Sequence, residues 1–425
     1  GDNMSLLFKS AHLEVEGFES LTIQTEPVEV TAPPVMRIPL INGAPVCNPA
    51  VKEGDEVKVG TVLNVVDDTC IPVFSSVSGV VKGIDKGMGA GLKPVNHVVI
   101  ENDGQFTAEE PWEKPGADAT REELIAFTRR SGVVNTDGSP LFTKFKDTAK
   151  VLVINGVGGE PYVTSDLVAL QKHKEEFEIG LRALKTMSDV FDVKIATTKE
   201  RKKYFEDLGY LVIVKQPSNC DTLLLTSLEM KEDETVIIDS TAVFELGLCI
   251  KTGRPNTKKL VTVSGNGIQK CRNMICPVGT PVNVMIKMNE GYIAREVEAI
   301  TEGLGYEANE EAVVIAGGPL MGKSINSDTW STTNYLNAVT VMKPEVRKLA
   351  HCMRCGRCSD VCPLGLQPMR IHEANRAQNV DLMLKMGVDQ CVECGYCSYV
   401  CPSKIECTDN VRKAKRYLAL KAKKK

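Results

Sequence analysis

Hydrophobic and polar positions change rhythm repeatedly along this chain, and each change marks a different kind of local structure. Across 28–102 the apolar residues come in short runs punctuated by glycine and proline. Val51-Lys52-Glu53-Gly54-Asp55-Glu56-Val57-Lys58-Val59-Gly60 predicts a strand, a tight Gly-Asp turn and a second strand, and 75–84 repeats the arrangement. From 121 to 252 the pattern becomes strands alternating with helices, which predicts a mostly parallel sheet. Val151-Leu152-Val153-Ile154 is a continuous apolar run, broken by Asn155-Gly156-Val157-Gly158-Gly159-Glu160-Pro161 and followed by a predicted helix over 164–184. Further strands are predicted at 190–197, 211–215 and 236–240. A smaller α/β unit over 258–325 opens on Leu260-Val261-Thr262-Val263-Ser264-Gly265 and closes on Val313-Val314-Ile315-Ala316-Gly317-Gly318-Pro319-Leu320-Met321-Gly322.

Near the end the rhythm yields to cysteine. Cys352-x2-Cys355-x2-Cys358-x3-Cys362-Pro363 recurs as Cys391-x2-Cys394-x2-Cys397-x3-Cys401-Pro402. Three thiolates two residues apart can wrap three corners of an iron–sulfur cubane, while the fourth, followed by proline, points toward a second cluster. On that pattern Cys352, Cys355, Cys358 and Cys401 hold one [4Fe-4S] cluster, and Cys391, Cys394, Cys397 and Cys362 hold the other. Paired C-x2-C steps also serve zinc, but zinc needs neither a third step nor a trailing Cys-Pro. The intervening 365–387 has a broadly helical rhythm, so the module is a helix-containing ferredoxin. Arg354, Arg357 and Lys404 lie in or beside the runs, either offsetting cluster charge or forming a solvated surface.

Composition narrows the class. A length of 425 residues suggests about three domains. The 51 basic and 55 acidic residues leave a net charge of -4, which argues against a nucleic-acid binder. No run is long and apolar enough to span a membrane, and the N-terminus lacks a signal-peptide layout, so the expectation is a cytoplasmic protein. The basic stretch over 411–425 reads as a solvated, frayed helix or as a peripheral contact with an acidic partner or the inner face of a membrane. The remaining cysteines, Cys47, Cys70, Cys220, Cys249, Cys271, Cys276 and Cys407, read as buried spectators. The 28–105 segment looks like a barrel-sandwich hybrid, the fold of biotinyl and lipoyl carriers. No lysine stands between Lys58 and Lys82 to carry a swinging cofactor, so its role reads as structural.

Over nearly its whole length the chain resembles the C subunit of the Rnf electron-transport complex and the relatives of that subunit, a cobalamin reductase and a proline reductase-associated electron-transfer protein. The residues that carry the likeness are 45–60 with Ser78-Gly79-Val80-Val81, Asn155-Gly156 with Glu160-Pro161-Tyr162, Gly317-Gly318-Pro319-Leu320-Met321-Gly322, and the two cysteine runs. The resemblance implies a multi-domain α/β protein: a lead-in (1–27), a barrel-sandwich hybrid (28–105) and an α/β domain like the flavin subunit of respiratory complex I (118–255). A β-grasp, SLBB-like domain (256–335), a double [4Fe-4S] ferredoxin module (345–410) and a basic tail (411–425) follow.

It also implies an FMN and NADH site, which the family match would place at Gly138, Thr143, Lys146, Asn155 and Glu160. The loop that cradles flavin phosphate in the family departs here, reading Asn135-Thr136-Asp137-Gly138-Ser139-Pro140-Leu141-Phe142-Thr143 with few of its glycines. That loss removes backbone freedom and sets Asp137 where a phosphate would lie. The reading favoured at this level is an iron–sulfur carrier serving a partner reductase, similar to the proline reductase-associated protein. An NADH-oxidising flavoprotein subunit of an Rnf-type complex, a cobalamin reductase and a non-catalytic docking subunit stay open as alternatives.

Overall fold

The computed structural model describes residues 15–41, 46–68, 70–89, 94–190, 192–293, 312–325, 327–344 and 350–422. Residues 1–14 of the expected lead-in, 294–311 of the expected β-grasp unit, and Lys423, Lys424 and Lys425 of the basic tail lie outside the described residues.

The Gly/Pro-punctuated region forms a four-stranded antiparallel sheet in the order Val35–Pro39, Pro94–Asn102, Gly79–Met88, Glu56–Val57. Met36, Ile38, Leu63, Val77, Val81, Val98 and Ile100 fill its core. The predicted Gly-Asp turn forms, with the Lys52 N–H donating to Asp55 Oδ2 at 2.9 Å. The sheet begins at Val35 rather than at 28, because Val28–Glu29 pairs in parallel with Arg272–Pro277 of another sheet.

In the α/β domain Val151–Asn155 lies between Asp192–Thr197 and Thr235–Asp239, with Leu211–Ile213 at one edge and every pairing parallel. Apolar clusters cover both faces, which is why the 151–154 run needs no alternation. The predicted 164–184 helix breaks at His173 into Ser165–Lys172 and Lys174–Ser188. The break turns the second helix onto Ser240–Thr252, where the backbones approach so closely that a Cβ at Gly180 would lie 2.0 Å from the Val243 carbonyl oxygen.

A six-stranded mixed sheet follows, in the order Val28–Glu29, Arg272–Pro277, Lys258–Ser264, Ala338–Met342, Val313–Ala316, Lys323–Ile325. Its interior strand Ala338–Met342 lies beyond the boundary expected at 335, because Val339 and Val341 are needed in that core. A buried ion pair, Lys259 Nζ to Glu245 Oε1, ties this sheet to the α/β domain.

The C-terminal module is helical, with Arg357–Asp360, Pro368–Arg376, Val380–Lys385, Tyr396–Tyr399 and Cys407–Ala422. The last of these runs through the boundary expected at 410 and is not frayed over its described length: Val411 and Ala414 are buried against Ile371 and Met383. Arg412 and Lys415 both pair with Glu393.

Candidate metal centres

The two cysteine runs fold alike. Arg354 and Glu393 occupy the left-handed region at φ 56° and 58°, as do Gly356 and Gly395 at 81° and 85°. These turns aim backbone donors at sulfur: Arg354 N–H to Cys352 Sγ at 3.4 Å, and Glu393 N–H to Cys391 Sγ at 3.4 Å. At the far end of each run the Leu366 N–H donates to Cys362 Sγ at 3.3 Å and the Ile405 N–H to Cys401 Sγ at 3.4 Å. Amide donors on sulfur stabilise an anionic thiolate and tune whatever it ligates.

Cys391, Cys394 and Cys397 line one cavity together with Cys362 of the other run. Leu366, Ile371, Tyr396 and Val411 complete its wall. Burial pushes the Cys394 thiol up to about 12 and Cys397 up to about 11, so thiolates form there only against a bound cation. Among the described residues no group of three or more His, Cys, Asp or Glu side chains is arranged to hold a lone metal ion. Four sulfurs around a mostly apolar space instead fit a cubane, whose iron would supply one-electron redox chemistry.

The first-run set is more open. Cys352 and Cys355 are exposed, Cys358 and Cys401 half-buried. Ser403 Oγ donates to the His351 carbonyl at 3.1 Å, bringing the end of the second run back to the start of the first. Cys407 is buried, and its thiol against that of Cys358 pulls the Cys358 thiol down. Its place six residues after Cys401 was the available clue in the sequence.

The inner run is clasped by the rest of the chain. Tyr396 is buried and donates to Gln216 Oε1 at 3.0 Å, and Asn219 Nδ2 donates to the Cys394 carbonyl at 3.5 Å. Arg412 donates to Glu393 at 2.7 Å and to the Met321 carbonyl at 3.3 Å. Glu160 accepts from the N–H groups of Leu320 and Met321, at 2.9 and 2.7 Å. Burial pushes its carboxyl up to about 7, with those two donors pulling back. Glu160 thus holds the 317–322 turn against the inner run. Tyr396, Gln216 and Asn219 had no sequence signal beyond the position of Tyr396 inside the run.

The α/β cleft differs from what the resemblance implied. The strand order reverses between Val151–Asn155 and Thr235–Asp239, so the crevice for a ligand opens at Asn155 and Asp239. The 135–143 loop fills it. Thr136 donates through both N–H and Oγ1 to Asp239 Oδ2, at 2.8 and 2.7 Å. The N–H groups of Asn135, Gly138 and Leu141 go to carbonyls of 133–139, and that of Ser139 to Asp137 Oδ1. Lys144 Nζ lies 3.5 Å from Asp137 and 3.4 Å from Asp221. Burial, then the charge of Asp239, pushes Asp221 up to about 6, so a further anion is disfavoured. Thr143 Oγ1 donates to the Pro140 carbonyl, and Lys146 is exposed.

The glycine turn after Val151–Asn155 is filled as well. A Cβ at Gly158 would lie 2.1 Å from the Arg201 guanidinium, which is held by Glu19 and Asp166. Phe18 stacks on Tyr162 with ring centroids 4.4 Å apart. Gly138 and Asn155 do reach the crevice, but the residues around them do not fit a flavin phosphate.

Two families match this chain: the RnfC barrel sandwich hybrid domain over 15–105 and a 4Fe-4S dicluster domain over 345–403. The chain is similar to the C subunit of the proton-translocating ferredoxin:NAD(+) oxidoreductase complex of Clostridium ljungdahlii, 26% identical over 77% of this chain and 75% of that protein. The C subunit of the Na(+)-translocating complex of Acetobacterium woodii is 26% identical over 78% of each chain. The C subunit of the ion-translocating oxidoreductase complex of Rhodobacter capsulatus is 27% identical over 88% of this chain and 76% of that one. Among solved structures, an NAD+-reducing [NiFe]-hydrogenase in the air-oxidized state aligns with a TM-score of 0.45 at 13% identity, over 70% of this chain and 62% of that one. These three relatives are C subunits of ferredoxin:NAD(+) or ion-translocating oxidoreductase complexes, whereas the sequence reading favoured a proline reductase system.

Proposed function

We propose that this chain is the iron–sulfur electron-transfer subunit of an Rnf-type oxidoreductase complex, relaying single electrons between two [4Fe-4S] clusters in its C-terminal module. Cys391, Cys394, Cys397 and Cys362 hold the inner cluster; Cys352, Cys355, Cys358 and Cys401 hold the outer one. The observation that carries this reading is the shared cavity, in which a thiol from the first run joins three from the second. The similarity to C subunits of ferredoxin:NAD(+) oxidoreductase complexes supports an Rnf-type partner over a proline reductase. Among the described residues no helix is long and apolar enough to cross a membrane, so contact with a membrane complex would be peripheral. The α/β domain serves as a scaffold that clasps the inner run through Gln216, Asn219 and the Glu160-bound turn.

A second reading, a flavin-bearing subunit acting on NADH, is favoured by the span of the sequence similarity. It requires the 135–143 loop to release Asp239. Anaerobic purification with iron, sulfide and flavin quantitation separates the two. The expected result is about eight iron and eight sulfide per chain, reducible by dithionite, with no flavin and no bleaching by NADH. A preparation without iron overturns the first reading; stoichiometric flavin with NADH-dependent bleaching establishes the second.

A further inference from the structure

The rim of the first run is built to be touched. Residues 350–357 are exposed without interruption, so Cys352 and Cys355 face solvent. Met353 stands out with 65% of its surface exposed, and Tyr399, from the helix packed on Arg357–Asp360, with 52%. Two large apolar side chains beside exposed sulfur ligands are a poor choice for a surface that meets only water. Arg354 and Arg357 are exposed and have no ion-pair partner among the described residues. Lys404 is also exposed and follows Ser403, which bonds the His351 carbonyl, so a third cation joins this rim. Within the run Asp360 is the lone carboxylate. The chain as a whole is slightly acidic, at a net charge of -4, so this positive rim departs from the global balance.

We propose that the Met353, Tyr399, Arg354, Arg357 and Lys404 rim is the docking face for a small acidic electron-carrier protein, which exchanges electrons with the outer cluster. The proposal rests on the electron-transfer reading above. The inner run cannot serve this purpose, since Tyr396 is buried and Gly395 lies against Leu320. The arginines steer the partner and fix its orientation, and the apolar pair excludes water at the point of closest approach. One electron passes in each encounter: the carrier is oxidised and the outer cluster reduced, or the reverse, with no bond made.

The test uses the cluster-loaded full chain under anaerobic conditions, with a reduced acidic ferredoxin as the probe and cytochrome c as a basic carrier of opposite charge. Stopped-flow rates are measured against ionic strength. The wild-type rate with ferredoxin is expected to fall steeply with salt, and Arg354→Glu/Arg357→Glu to lower it about tenfold at low salt while raising the rate with cytochrome c. Lys421→Glu, on the last helix, should leave both rates alone. Dithionite reduction and the paramagnetic signals of both clusters should be unchanged in every variant. If dithionite reduces nothing in the wild type, the electron-transfer reading itself fails. If the clusters are reducible but the ferredoxin rate is flat with salt, or insensitive to the arginine reversals, the docking proposal alone is overturned. Loss of binding to anionic phospholipid vesicles with an unchanged ferredoxin rate would overturn it too, by assigning the rim to a membrane. Arg354→Gln/Arg357→Gln provides a milder variant, expected to show about half the logarithmic effect.

Discussion

The two cysteine runs share spacing, turns and sulfur-directed amides, yet one faces water and the other is enclosed. The difference lies in the residues between the cysteines. Where the first run has Met353, Arg354, Arg357 and Asp360, the second has Val392, Glu393, Tyr396 and Tyr399. Arg357 is exposed at the first position of its short helix, while its counterpart Tyr396 is buried and bonded to Gln216. Glu393, the counterpart of Arg354, is the anchor for Arg412 and Lys415. Ligand spacing therefore sets the coordination geometry, and the intercalated side chains set which cluster is insulated and which is offered to a partner.

The largest expected effect comes from breaking the crossover. Cys362→Ala should remove the inner cluster, held mainly by the second run, and about half the iron, leaving the outer signal intact. Cys401→Ala should do the reverse. Iron and sulfide analysis with paramagnetic resonance of the reduced protein decides the matter; loss of the outer cluster on Cys362→Ala would sink the pairing and with it the contrast between an enclosed and an open site.

Next in size is a matched pair of glycines. Alanine at Gly356 or Gly395 meets the same left-handed backbone, at φ 81° and 85°. At Gly356 the nearest atom to an added Cβ is Asp360 Oδ2 at 3.8 Å, so only the conformational cost of about 1 kcal/mol applies. At Gly395 the Cβ would lie 2.4 Å from the Leu320 carbonyl oxygen, and the 317–322 turn must give way. Gly395→Ala should therefore destabilise by roughly 3 kcal/mol or more, read by anaerobic thermal unfolding. Equal losses at the two positions would mean that the inner run is not pressed against that turn.

Much of this arrangement was legible in the chain. The cysteine repeat announced its chemistry, and the apolar run over 151–154 announced a strand buried on both faces. The asymmetry between the runs was also there to read, in Arg357 against Tyr396. What sequence could not supply was long-range pairing. Val28–Glu29 joins a strand more than two hundred residues away, and no local pattern in a two-residue strand specifies that partner. Glu160 illustrates the same limit. Its position in a glycine turn after a strand suggested a ligand contact, but its carboxylate is committed to a turn 160 residues later in the chain. The crevice shows the same limit: the altered loop was visible in the sequence, but only the fold brings Thr136 to Asp239 and Lys144 between Asp137 and Asp221.

The smallest effect, and the one that probes the clasp most directly, is a pH dependence. The Glu160 carboxyl is raised from the ordinary 4.5 to about 7 by burial, so the folded chain binds its proton more tightly than the unfolded chain does. Its contribution to stability is whole below about pH 4.5 and is lost as the pH rises through about 7; between pH 6 and 8 the loss is about 1 kcal/mol. Glu160→Gln should flatten that slope. A fixed penalty of about 1 kcal/mol is expected alongside, because the amide's NH2 cannot accept from one of the two N–H groups that meet the carboxylate. Anaerobic denaturant titrations of both proteins across this range provide the measurement. Because Glu160 holds the turn that backs Gly395, the inner cluster's signal should change with pH in the wild type while the outer cluster's stays constant. A wild-type slope as flat as the variant's, or an outer signal that moves instead, would detach Glu160 from the enclosure of the inner run.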